Sequence, residues 1–109
     1  MNAVSYILCF LCSYLLGAVP WGYLLVRWRR GIDIRKKGSG NIGFTNVLRT
    51  ATVPLAVTVL ILDAGKGAAA VGIIAPLCDS FFPGPDPGLV GMIAFLGAVT
   101  GHIFPVFLS

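Results

Sequence analysis

From Met1 to Val26 the chain carries no charged side chain, an uninterrupted run of 26 residues. About 20 apolar residues, each rising about 1.5 Å along a helix, cross a hydrocarbon layer of about 30 Å. The start of the chain is therefore either a membrane span or a signal sequence. A signal sequence needs a basic segment ahead of a shorter apolar core, and this run meets neither condition. Two further apolar runs follow, over residues 53–78 and 89–108. Only 11% of the 109 residues are charged, too few to cover the surface of a soluble domain. The expected fold class is all-α integral membrane, with three transmembrane helices at about 3–26, 53–78 and 89–108.

The placement of the charges orients these spans. Seven of the eight Lys and Arg residues lie between Arg27 and Arg49, where Asp33 is the sole acid. A basic segment between two apolar runs is the pattern of a cytoplasmic loop, here residues 27–50, and it makes nucleic acid an unnecessary partner. Asp79 to Gly88 contains Pro83, Pro85 and Pro87 and no Lys or Arg, so it reads as a turn on the opposite side. The amino terminus is then outside, and the third run returns the chain to the cytoplasmic side. Pro20, with Gly17 and Gly22 beside it, is expected to kink the inner end of the first span, where Trp21 and Trp28 suit the interfacial belt. Pro54 fits a first helical turn.

Gly97 and Gly101 form a G-x-x-x-G in the third run, a spacing that lets helices approach closely; packing within one protein is the simpler use of it. Cys9, Cys12 and Cys78 read as small apolar packing residues. With a single histidine and no second Cys pair, no metal site or cofactor is expected.

The segment from Gly38 to Arg49 concentrates the chemistry. Gly38, Gly40 and Gly43 permit positive φ and a close backbone approach, while Ser39, Asn41, Thr45 and Asn46 supply uncharged donors and Arg49 a cation. A helix starting near Thr45 would add free N–H groups. Such a loop suits an anion, although the same residues could simply satisfy a turn. The spacing is not that of a nucleotide-binding P-loop. Asp63 and Lys66 stand i, i+3 inside the second span, where ionisable groups need a partner or a polar pocket; they read as an ion pair or as part of a site. His102, on the same side as the basic loop, reads as a hydrogen-bonded structural residue or a base, with Pro105 ending its helix just after.

Three segments carry a family resemblance. Gly38-Ser39-Gly40-Asn41-Ile42-Gly43-Phe44-Thr45-Asn46, followed by Arg49, resembles the GSGNxGATN signature of the acyl-phosphate-dependent glycerol-3-phosphate acyltransferases. Leu62-Asp63-Ala64-Gly65-Lys66-Gly67 is similar to their LDxxKG, and Gly101-His102-Ile103-Phe104-Pro105 to their GHxFP. Phe44 departs from the family's usual Ala and is expected to crowd the loop. The resemblance implies a multi-pass enzyme of the bacterial inner membrane that transfers a fatty acyl group from acyl phosphate to glycerol 3-phosphate, giving lysophosphatidic acid, with no cofactor. It further implies association with an enzyme that produces acyl phosphate. Within it, Ser39, Asn41 and His102 would be catalytic, and Gly38, Gly40, Gly43, Thr45, Asn46, Arg49 and Lys66 would bind substrate or phosphate.

Family members run to roughly twice this length, with a Lys-bearing GGKG-type segment and a later His-containing signature. The chain would therefore be the amino-terminal portion of a larger multi-span helical bundle, inactive by itself. A small transporter subunit or interaction protein is the alternative reading, but it leaves the polar signature without a purpose.

Overall fold

A computed structural model describes residues 2–108, which are helical throughout their ordered elements, with no strand among them. The helices are α1 (Ala3–Gly17), α2 (Trp21–Arg30), α3 (Phe44–Thr50), α4 (Val53–Ala69), α5 (Ala75–Phe81) and α6 (Pro87–Ile103). Short 3₁₀ turns occupy Ile34–Lys36 and Val106–Leu108, and a π-helical turn, Ala70–Ile74, joins α4 to α5. Three stretches are long and apolar enough to cross a membrane: Ala3–Arg30, Val53–Phe81 and Pro87–Leu108. The chain is thus an all-α, multi-pass membrane protein.

The boundaries move where local chemistry overrides hydropathy. The first stretch is broken at 18–20, where Pro20 lacks the N–H that would continue α1, and it resumes as α2 through Arg30. Arg27 to Arg30, expected in the loop, are therefore helical, and three arginines in that last turn face the negative end of the helix dipole. Gly31 closes α2 at φ 67°, the left-handed conformation in which a glycine carries no Cβ strain. Asp79 and Ser80, expected in the turn after the second span, still belong to α5. Pro76 sits just past the π turn, which widens the helix where a proline ring would otherwise press on the preceding turn. Helix α6 starts two residues earlier than expected, because Asp86 caps it by accepting from the N–H groups of Gly88 and Leu89.

The chain folds as two compact units, one drawn from the residues up to Val19 and from Gly65 onward, the other from Pro20–Ala64. In the first unit, α1 packs on α6 through small residues. Ser5, Cys9, Ser13 and Gly17 recur every fourth position on the buried face of α1. Val90, Ala94, Gly97, Ala98 and Gly101 line the facing side of α6. A methyl group on Gly97 would lie 2.5 Å from the Phe10 carbonyl oxygen, and one on Gly101 would overlap the backbone of Tyr14. The Tyr14 hydroxyl donates to the Phe104 carbonyl at 2.7 Å, fastening the end of α6 to α1. Cys9 is fully buried in this core and Cys12 is exposed, so the packing role expected of all three thiols holds for Cys9 and not for Cys12.

In the second unit, Val26, Ile34, Val47, Ala56 and Val59 form a fully buried cluster shared by α2, the 3₁₀ turn, α3 and the start of α4. Gly22 on α2 lies so close to the Ile42 carbonyl that any Cβ would collide with it. The polar loop is thereby seated directly on a helix backbone.

Gly101→Leu should destabilise the α1–α6 pairing by about 1–3 kcal/mol through overpacking. Thermal unfolding in detergent should show a lowered midpoint for this variant, while Gly67→Ala, at a position with open space around it, should leave it unchanged.

Candidate phosphate-binding loop

The polar segment is closed by a side chain, and that side chain is Asn46. Its Nδ2 donates to the Lys37 carbonyl at 3.0 Å and to the Asn41 carbonyl at 2.8 Å, while its Oδ1 accepts from the Ser39 N–H at 3.2 Å. At 2% exposure Asn46 is effectively buried, and both ends of its carboxamide are bonded to loop backbone. It organises the loop, which gives it a structural role beside the binding role expected of it. Gly38 (φ 53°) and Gly40 (φ 78°) take the left-handed conformations that this closure requires. A Cβ on Gly38 would also collide with Asn46 Oδ1. Gly43 is different: its φ of −85° is open to any residue, so positive φ is not what selects glycine there.

Most loop N–H groups are bonded internally. Gly40 N–H donates to the Lys37 carbonyl at 2.9 Å, Asn41 N–H to Ser39 Oγ at 3.3 Å, and Gly43 N–H to Asn41 Oδ1 at 3.1 Å. Part of the backbone cradle expected from three glycines is therefore spent within the loop, and the donors that remain among the described residues are the uncapped first N–H groups of α3 and several side chains. Ser39 keeps its own O–H to donate, and Asn41 Nδ2 has no partner among the described residues. Thr45 and Arg49 are exposed on α3, and Arg49 forms no ion pair among the described residues. Phe44 does not crowd this set. Its ring packs against the Val26–Ile34–Val47 cluster, because at the first position of α3 it faces the core.

The floor of the loop is a charged clasp. Asp33 accepts from Arg35 Nε at 3.0 Å, from Arg35 Nη2 at 2.8 Å and from the Arg35 N–H at 3.0 Å. The guanidinium also lies 4.7 Å from the centre of the Tyr23 ring. Hydrogen bonding from Arg35 pulls the Asp33 carboxyl from an ordinary 3.8 down to about 2. Nothing in the residue order singles out this pair, although a D-x-R beside a basic run is a local turn signal.

Lys66 and His102 belong to the other unit. Lys66 is 6% exposed, and its Nζ lies 2.8 Å from the Gly17 carbonyl, 3.0 Å from the Val19 carbonyl and 3.1 Å from His102 Nδ1. The two carbonyls can only accept, while the direction of the contact with His102 Nδ1 depends on the imidazole tautomer. His102 lies in the last turn of α6, which ends at Ile103, before Pro105 as expected. Asp63 precedes Lys66 by one turn of α4.

The family model described as "Glycerol-3-phosphate acyltransferase" matches residues 7–109. Proteins named glycerol-3-phosphate acyltransferase are similar along nearly all of the chain. The one from Myxococcus xanthus is 49% identical over 91% of this chain and 48% of its own length. The one from Rhodospirillum rubrum is 46% identical over 100% and 50%, and the one from Gluconobacter oxydans 51% identical over 94% and 47%. The chain spans about half the length of these curated relatives. No solved structure matches.

Two outcomes are expected of this loop. Asn46→Ala leaves buried carbonyls and the Ser39 N–H unpaired, at about 1–3 kcal/mol, and hydrogen exchange at Ser39 and Asn41 should rise strongly in this variant. The Asp33 carboxyl is depressed when folded, so its contribution to loop order is complete above about pH 4 and is lost as the pH falls through about 2. A carboxyl NMR titration of Asp33 should show that low midpoint, and Arg35→Gln should raise it.

Proposed function

The chain belongs to the glycerol-3-phosphate acyltransferase family, and from that premise we propose that it supplies the phosphate-recognition half of a membrane acyltransferase. The donor is acyl phosphate and the acceptor sn-glycerol 3-phosphate, with lysophosphatidic acid as product. Both substrates carry phosphate, and one of them carries an apolar tail. A loop at the edge of an apolar span, with a cation beside it, suits this pair. The observation that carries the reading is the donor set left open by the Asn46 closure: the Ser39 hydroxyl, the Asn41 Nδ2 and the Arg49 guanidinium, with Thr45 beside them. Gly38 and Gly40 shape that opening, and Gly43 completes the turn into α3.

In the reaction, the 1-hydroxyl of glycerol 3-phosphate attacks the acyl carbonyl carbon. The bond from that carbon to the phosphate oxygen breaks, inorganic phosphate departs, and the hydroxyl proton passes to phosphate or water. Phosphate is a good leaving group, so holding the two substrates in line and stabilising developing charge supplies most of the rate. Ser39 and Asn41 hold the phosphate or the carbonyl oxyanion, Arg49 neutralises the added charge, and no strong protein base is needed. The positive-inside distribution supports residues 27–50 facing the cytoplasm and the amino terminus facing outside, in what this reading takes to be a bacterial plasma membrane. The acyl phosphate then arrives from a cytoplasmic or membrane-associated enzyme that makes it.

The test is acyl transfer from acyl phosphate to glycerol 3-phosphate, in membranes of cells expressing the protein. Ser39→Ala and Arg49→Ala should each lower turnover roughly 10²-fold. Unchanged rates in both variants would overturn their roles, and an inactive parent protein would overturn the function.

A further inference from the structure

A buried lysine inside an apolar span demands a local reason, because an ammonium in hydrocarbon is costly unless its donors are met. Lys66 meets them in an unusual way. Gly17 is the last residue of α1, so its carbonyl is one of those that the helix itself leaves unpaired. The Val19 carbonyl lies in the break that follows, ahead of Pro20. The Gly17 oxygen belongs to the negative end of the α1 dipole, the Val19 oxygen lies just beyond it, and both accept from Lys66 Nζ, at 2.8 and 3.0 Å. Two carbonyl acceptors beside the C-terminal end of α1 present oxygen to an ammonium. An ammonium has three donors and no lone pair, so its contact with His102 Nδ1 at 3.1 Å runs in one direction only.

We infer that Lys66 is a positioning residue that fixes His102 as the neutral tautomer protonated on Nε2, so that His102 acts as a hydrogen-bond donor and not as a base. Once Nδ1 accepts from Lys66, the remaining proton of a neutral imidazole is on Nε2 and the ring has no lone pair left to receive another. His102 is exposed on its own unit, and what it offers there is one N–H of fixed direction. The ligand chemistry that suits a single neutral N–H is an anionic oxygen, either of phosphate or of the acyl carbonyl in the transition state. The tautomer rests on the geometry together with a charged Lys66; the ligand class rests on the acyltransferase reading. The same three contacts tie α4, α6 and the end of α1 together within one unit, which explains a lysine at that depth without a phosphate to bind it.

His102 is the sole histidine, so ¹⁵N-histidine labelling of the chain in detergent micelles gives one imidazole to read. The expected spectrum has a protonated Nε2 and a bare Nδ1, kept in Lys66→Arg and replaced by exchanging tautomers in Lys66→Met. A protonated Nδ1 in the parent protein would mean that Lys66 accepts as a neutral amine, and would overturn the inference even if Lys66→Met fails to fold. The donor role is read separately in the acyl-transfer assay. His102→Leu should cost roughly 10²-fold in turnover, while His102→Gln, which keeps an N–H near the Nε2 position, should stay within about tenfold of the parent. Equal losses in the two variants would overturn the donor role. An inactive parent protein would sink the acyltransferase reading and leave the tautomer result standing.

Discussion

The polar loop has a shape because one buried carboxamide makes three bonds to it. Asn46 sits on α3 with its side chain turned inward, joining the backbone of Lys37, Ser39 and Asn41. A hydroxyl or a carboxylate at that position could not both donate twice and accept once in this arrangement. The left-handed glycines follow from the same constraint, since Gly38 passes too near Asn46 for any Cβ. What remains for a ligand is then decided by subtraction. Many backbone N–H groups are used within the loop, whereas the Ser39 O–H, the Asn41 Nδ2 and the Arg49 guanidinium are not.

Close backbone approach does the equivalent work in both units. In one, glycines on α6 bring it against the carbonyls of α1, and small residues every fourth position on α1 complete the fit. In the other, Gly22 lets the loop backbone at Ile42 rest on α2. In lipid, where burial of apolar surface provides little drive between helices, tight van der Waals packing of this kind is the main source of association. Lys66 adds a polar fastening that satisfies carbonyls which the break at Pro20 would otherwise leave without partners.

Much of this was legible in the residues themselves. The three apolar runs, the proline break, the helix start near Thr45 and the helix end before Pro105 follow from local chemistry. The G-x-x-x-G was readable as internal packing, and its counterpart on α1 could have been found from Ser5, Cys9, Ser13 and Gly17. Other features were not legible. Asn46 and Asn41 are the same residue type five positions apart in one signature, yet Asn46, on the buried side of α3, is scaffold while Asn41, in the exposed loop before it, presents an unbonded Nδ2. Phe44 looked like an intruder among small residues because its direction was unknown.

Sequence alone determined the class, the spans and the family, because hydrophobic length, charge placement and motif spacing are properties of the chain read in order. Tertiary structure decided which polar groups are already bonded, because that depends on distances between residues far apart in the chain. Lys66 shows the division most clearly. Its position in an apolar span marked it as a residue needing partners, but the partners are carbonyls 49 and 47 positions away and a histidine 36 positions away, and only the fold that brings Lys66 beside the ends of α1 and α6 could supply them.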